Sequence, residues 1–318
     1  MKSVLKYFLL SLPLVVISGC DSSPKPFSFD EVTQTGAYSL CLNEKADQAI
    51  IGSIHHGGSL WRISPLDRLF NWNHKDGQTS NILHCDFSPD GQYAATADNR
   101  TIVLWNSQTG EAFWLWNAPG DLQDLELSQA GNLALLAMED YTATLFDIKN
   151  GGIQRIFKHQ GIVYDVSLTT DLRLAASASD DLTAKVWGVA SGDIKQNFKH
   201  DNQVRSAQLS PDGSLLFTSA LGESGYLWDV ESGNKLATYP INSGYFSAIR
   251  FSKDGRQILT GSSSGKIQLW DLNGSVKKHW QAEPRNTWVS NNVHIEDVAF
   301  GGQSYLASGA NGRIFHLR

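Results

Sequence analysis

The sequence predicts an all-β fold: a seven-bladed β-propeller of four-stranded antiparallel blades, closed by an N-terminal strand added to the last blade. Three observations predict it. An aromatic residue ends an apolar, alternating strand at Trp61, Trp105, Phe146, Trp187, Trp228 and Trp270, and the pattern decays to Leu317, with spacings of 44, 41, 41, 41, 42 and 47 residues. A period of about 40–45 with that ending is the mark of propeller blades. Gly-rich turns recur in register, as Ser88-Pro89-Asp90-Gly91, Ser210-Pro211-Asp212-Gly213 and the related Ser252-Lys253-Asp254-Gly255. The seventh repeat runs out of chain after three strands, and a spare strand stands at Phe27-Ser28-Phe29-Asp30-Glu31-Val32.

The elements follow in order. Lys2 and Lys6 flank a short basic start, residues 7–17 are apolar, and Ile17-Ser18-Gly19-Cys20 ends the run. Eleven apolar residues are too few to span a bilayer. Basic end, apolar core, small pair and Cys resemble the lipobox of bacterial lipoproteins, which implies cleavage of residues 1–19 and lipidation of Cys20. Cleavage would leave 299 residues with a net charge of −8, against −6 for the full chain. Two or more acyl chains anchor a protein stably where one does not. Asp21 resembles the signal that retains such proteins in the inner membrane. Residues 20–26 then form a tether, and residues 27–318 the propeller.

Repeat 5 shows the blade plan. Strand a is Val204–Leu209, the Pro-Asp-Gly turn follows, strand b covers 215–219, strand c covers 225–230 and includes Trp228-Asp229, and Glu231-Ser232-Gly233-Asn234 turns into strand d at 235–239. Short strands at even spacing between turn residues mean all-β. With 41% apolar residues and 10 Trp, 14 Phe and 9 Tyr, a large core is available. Charges are scattered without runs, which argues against a nucleic-acid groove. Pairing residues 27–32 with the last repeat removes an open edge. With six residues between Cys20 and that strand, a reach of roughly 20 Å, the sequence predicts a propeller held near the bilayer by the bottom edge of blade 7, its top face outward.

From about residue 27 to 318 the chain resembles the WD-repeat family of propellers, best in repeat 4. That resemblance implies a structural hydrogen-bond tetrad of His159, Ser177, Asp181 and Trp187. A catalytic reading of His, Ser and Asp is rejected, because the hydroxyl lies on a buried strand. Repeat 5 has His200, Thr218 and Trp228 but Gly222 at the Asp position; repeat 3 has Asp140 but Phe146 for Trp; repeats 1 and 7 are degenerate.

Cys41 and Cys85 lie on the first strands of neighbouring blades. Cys85 shares a face with Phe87, and Cys41 falls opposite Leu40 and Leu42. A bridge is conceivable, but two buried free thiols are the expectation, because neighbouring blades can stand too far apart for bridging geometry.

Few groupings suggest chemistry. Gly261-Ser262-Ser263-Ser264-Gly265-Lys266-Ile267 echoes a phosphate loop but is one residue short, lacks the metal-binding hydroxyl and precedes a strand. His55-His56 in a b–c turn have no third ligand nearby in sequence, so no metal is expected. Asp180-Asp181 loses one carboxylate to the tetrad. Two inserted loops, residues 281–292 with Trp288 and residues 74–81, flank the degenerate blades, and insertions on one face of a repeat array often mark the binding face. The candidate partner-binding surface is therefore a top rim of His55, His56, His74, Arg100, Tyr141, Arg285, Trp288 and Arg313.

These features lead to the expectation of a membrane-anchored periplasmic lipoprotein acting as a non-catalytic, protein-binding scaffold, with no cofactor, no metal and no nucleic acid. A second reading is a binder of cell-wall glycan or another small ligand at the channel mouth. A propeller-hosted hydrolase is third, for want of a metal-ligand cluster or cofactor-docking set.

Overall fold

The computed structural model describes residues 24–75, 77–285, 292–302 and 304–318. It contains seven four-stranded antiparallel sheets. Blades 1 to 3 begin at the inner strands Ala37–Leu42, His84–Phe87 and Leu122–Leu127; blades 4 to 7 begin at Val163–Leu168, Val204–Leu209, Phe246–Phe251 and Ile295–Gly301. Each inner strand contacts the inner strands of its two neighbours, and blade 7 meets blade 1, so the ring closes. Strand a descends from the top face to the bottom, where the a–b and c–d turns lie. The b–c turns and d–a loops form the top.

Closure follows the expected route. Ser28–Glu31 pairs antiparallel with Arg313–Leu317, with Phe29 opposite Phe315 and Glu31 opposite Arg313. This strand completes blade 7 from the opposite end of the chain.

The path leading into it differs from the expectation. The Pro24 carbonyl accepts a hydrogen bond from the Gln281 N–H at 3.2 Å, and Lys25 pairs with Glu283 at 2.6 Å. Both partners lie at the top end of blade 6's outer strand, Val276–Gln281. The chain therefore descends along the rim between blades 6 and 7 and reverses at Phe27, rather than entering from the bottom of blade 7.

The core lies between blades. At five junctions an aromatic at the end of the outer strand packs on the strand-c aromatic of the next blade. Trp72 meets Trp105 at 5.3 Å, Trp116 meets Phe146 at 3.6 Å, Phe157 meets Trp187 at 5.2 Å, Phe198 meets Trp228 at 4.7 Å, and Tyr239 meets Trp270 at 5.2 Å. Trp280 continues the series into the blade 6–7 cluster with Leu317. Such ring pairs add roughly 0.5–1.5 kcal/mol beyond the area they bury. At the 7–1 junction the aromatic is missing, and Val32 stands in the cluster that holds Trp61.

Blades also approach closely through glycine. A Cβ on Gly261 would sit 2.2 Å from an Ile295 methyl carbon. Gly261 thus serves the blade 6–7 contact, and residues 266–271 following its turn form a strand, so the phosphate-loop echo is structural.

Cys41 and Cys85 form a disulfide with Cα atoms 6.0 Å apart. This corrects the expectation of free thiols. Inner strands converge toward the ring axis, which brings facing residues of neighbouring blades within bridging reach.

Candidate functional site

The tetrad of blade 4 is assembled as the resemblance implies. The Trp187 indole N–H donates to Ser177 Oγ at 2.8 Å. Ser177 Oγ lies 2.7 Å from His159 Nε2, and His159 Nδ1 lies 2.9 Å from Asp181 Oδ2. Burial holds the imidazole pKa down, against the pull of Asp181. Burial alone would raise Asp181, but hydrogen bonds from His159, Thr183 and the Gln160 N–H hold it well below the usual carboxylate range. A neutral His159 donating from Nδ1 and accepting at Nε2 satisfies every member of the network. It is a fully spent set of polar groups.

Blade 2 carries an incomplete version that the sequence did not reveal, its His–Asp link too long for a hydrogen bond. Trp105 donates to Thr96 Oγ1 at 2.8 Å, His74 Nε2 lies 3.0 Å from the same oxygen, and His74 Nδ1 is 3.7 Å from Asp98. His74 was placed on the partner-binding rim; its side chain is only 3% exposed and belongs inside the blade. The inserted loop at 74–81 lengthens the His-to-Trp spacing from 28 residues in blade 4 to 31, which hides the match. In blade 5, Glu223 replaces the missing Asp and meets His200 Nδ1 at 3.3 Å, while His200 Nε2 is buried without a partner.

The remaining rim candidates divide. His55, His56, Arg100 and Tyr141 are exposed in the b–c turns of blades 1, 2 and 3, with Arg100 paired to Asp121. Arg285 is not free for a partner: it pairs with Glu31 at 2.6 Å and donates to the carbonyls of Thr33 and Gln34, fastening the closing strand. Arg313 is 9% exposed and lies 4.0 Å above the Phe29 ring. Both corrections have one cause: the closing strand enters blade 7 and consumes the cations beside it. Trp288, like Cys20, lies outside the described residues.

The structure brings forward a different set at the channel mouth. In six of the seven blades the pairing of strands a and b skips one residue near the top: Tyr38, Gln123, Tyr164, Arg205, Ser247 and Glu296. A bulge of this kind re-aims the extra side chain. All but Tyr38 line a channel cavity of about 490 Å³. Arg205 lies 4.0 Å from the Tyr164 ring and 5.9 Å from that of Tyr245, and Tyr245 approaches His294 at 6.1 Å. The sequence signal was present, as the residue after the first apolar position of each inner strand, but strict alternation would send it sideways rather than to the mouth.

Below the mouth the wall is acidic. Asp86, Asp124 and Asp165 each accept a backbone N–H of the following blade, from Leu127, Val166 and Ala207 at 2.8, 3.2 and 2.6 Å. Asp297 accepts from Leu42 at 2.8 Å and pairs with Arg250 at 2.9 Å. Burial pushes Asp86 up to about 8 and Glu296 to about 8. Asp124 and Asp165 are both raised, by burial and, for Asp124, by the neighbouring charge. Among the described residues, no group of three or more His, Cys, Asp or Glu side chains is arranged to hold a metal ion.

Four segments of the chain match the WD domain, G-beta repeat family: residues 71–106, 151–188, 192–229 and 233–271, a little under half of the chain. Three of them span the outer strand of one blade and the inner three of the next, and the match at 71–106 begins at the last residue of blade 1's outer strand, Asp67–Asn71. The chain is thus a seven-bladed propeller carrying WD repeats in blades 2, 4, 5 and 6. The inner three strands of blade 3, with Phe146 in the Trp position, and those of blades 1 and 7 lie outside the matches. No curated protein matches the chain at significant similarity.

Proposed function

We propose that this WD-repeat propeller is a non-catalytic platform for protein partners, held on the periplasmic side of a bacterial membrane by a lipidated Cys20, with the inner membrane favoured by Asp21. The observation that carries the binding role is the ring of bulge residues at the top mouth, where Tyr164, Arg205 and Tyr245 stack together. Tyr and Arg are the side chains that anchor interfaces: Tyr buries much area at small entropic cost, and Arg adds charged, multidentate donors. The exposed residues His55, His56, Arg100 and Tyr141 extend the same face. Two features support export: the ordered basic, apolar and small-residue run ending at Cys20, and the Cys41–Cys85 disulfide, a bond that persists in oxidising compartments.

The test is site-specific photocrosslinking in intact cells. A crosslinker at Tyr164 should capture a discrete partner, Arg205→Glu should abolish that product, and a crosslinker at Asp254 on the bottom should capture nothing comparable. Equal yields from both faces would sink the assignment. Intact mass of membrane-extracted protein checks the anchor, and Cys20→Ser should remove the acyl mass.

A second reading is favoured by the channel itself, whose polar lining and volume of about 490 Å³ suit a small ligand such as a glycan fragment. A rise in melting temperature with cell-wall fragments, absent in Arg205→Glu, would support it.

A further inference from the structure

We propose that the outer rim between blades 6 and 7 docks on anionic phospholipid headgroups, so that the propeller sits on the bilayer by its side rather than by its bottom face. The proposal rests on the lipid-anchored reading and adds a second contact with the membrane. A groove of about 500 Å³ runs along this rim, and Lys25, Lys277, Lys278 and Arg318 converge on it with Phe27 and Trp280. Lys25 and Lys277 are paired with Glu283 and Asp271 at 2.6 and 3.3 Å, but these pairs are exposed and weak. Lys278 lies over the Tyr305 ring at 5.3 Å, and Arg318 over the Phe27 ring at 3.5 Å. Phe27 is 61% exposed. An exposed ring backed by a guanidinium is suited to the boundary between headgroups and acyl chains.

Charge and position select the occupant. The chain is acidic overall, at −6, so an anionic surface repels most of it and attracts it where cations gather. Pro24, in the wall of this groove, stands four residues after Cys20, a reach of at most roughly 14 Å. The tether and the basic rim are therefore on the same side of the molecule. Tethering makes headgroup contact effectively intramolecular, so even a few cations suffice. Each Lys or Arg near such a surface strengthens attachment about fivefold.

The experiment uses membrane-extracted protein in nanodiscs of phosphatidylglycerol or of phosphatidylcholine, with lysine-directed labelling read by mass spectrometry. Lys277 and Lys278 should label at least about fivefold more slowly on phosphatidylglycerol, and salt at about 0.5 M should erase the difference. Lys195 and Lys199, on the rim of blade 4, should label alike on both lipids. Lys278→Glu combined with Arg318→Glu should remove protection at Lys277 while leaving the melting temperature unchanged. An acylated protein whose Lys277 and Lys278 label equally on both lipids would overturn the proposal alone. A protein whose intact mass shows no acyl addition would remove the anchored reading and the proposal with it.

Discussion

Blade 4 and the seam between blades 7 and 1 close the same ring by different means. In blade 4, Trp187 is buried under Phe157 and hydrogen-bonded through Ser177 to His159 and Asp181. At the seam, Val32 holds the ladder position, and the Trp61 indole N–H donates to Ser59 of its own strand. Directional contacts replace the rings. Arg250 reaches from blade 6 to Asp297 of blade 7 and the Leu42 carbonyl of blade 1, at 2.9 and 3.1 Å. Ser308 donates to the Leu40 carbonyl at 2.8 Å, and Arg285 straps the closing strand. A closed ring is limited by its weakest junction, so thin packing at one place has to be offset there.

The largest effect is expected in the arc. Trp187→Ala removes a 4% exposed side chain and its hydrogen bond, at a cost of about 3–5 kcal/mol. Trp61→Ala, partly exposed and outside the ladder, should cost less than half as much. Urea denaturation of both variants makes the comparison, and equal costs would refute the asymmetry.

Reduction of Cys41–Cys85 comes next. The bridge spans 44 positions, and loops of that size contribute about 2–4 kcal/mol. A C41S/C85S variant should lose that amount and show no further loss on adding reductant. Arg250→Ala should cost about 1–3 kcal/mol, discounted because the pair is a fifth to a quarter exposed. Arg62→Ala, which breaks a half-exposed pair with Asp67 on the outer strand, should cost under about 0.5 kcal/mol.

The same contrast explains what could be read from residues alone. The 41-residue spacing of Trp187 and Trp228 is set by one repeating sheet, and such a period survives point changes such as Phe146. Blade 4's tetrad was legible because its loops have the standard length. His74 was not, since three inserted residues break its spacing to Trp105. The disulfide and the bulge ring depend on how closely inner strands converge and where one extra residue enters the pairing, and neither appears in apolar alternation. Arg285 and Arg313 were misplaced on the binding face because their partners, Glu31 and Phe29, come from the far end of the chain.

The smallest effect is a pH dependence that separates arc from seam. Asp86, Asp124 and Asp165 bridge blades 2 to 5 and face the channel with Glu126, Glu296, His84 and His294, while Asp297, also raised by burial, is hydrogen-bonded by Arg250, whose charge reaches Asp86 as well. Burial raises the arc carboxyls, to about 8 for Asp86, so the folded protein keeps protons that the unfolded chain releases near pH 4. Their contribution is intact below that pH and is lost as pH rises toward about 8. Asp181 has the opposite sign: its pKa is lowered, so its contribution is present above about pH 4 and lost below it. Burial lowers the imidazoles of His84, His159 and His294, so their contribution is present above about pH 6.5 and lost below it. The carboxyl effect is therefore read on the alkaline side, as a fall of about one degree in melting temperature between about pH 6.5 and 8.5. Asp165→Asn keeps an acceptor for the Ala207 N–H and removes one titrating group, so it should flatten the alkaline limb. Asp297→Asn, which unpairs Arg250, should instead lower the melting temperature across the range. Parallel profiles for these two variants would show that the channel carboxyls of arc and seam are equivalent after all.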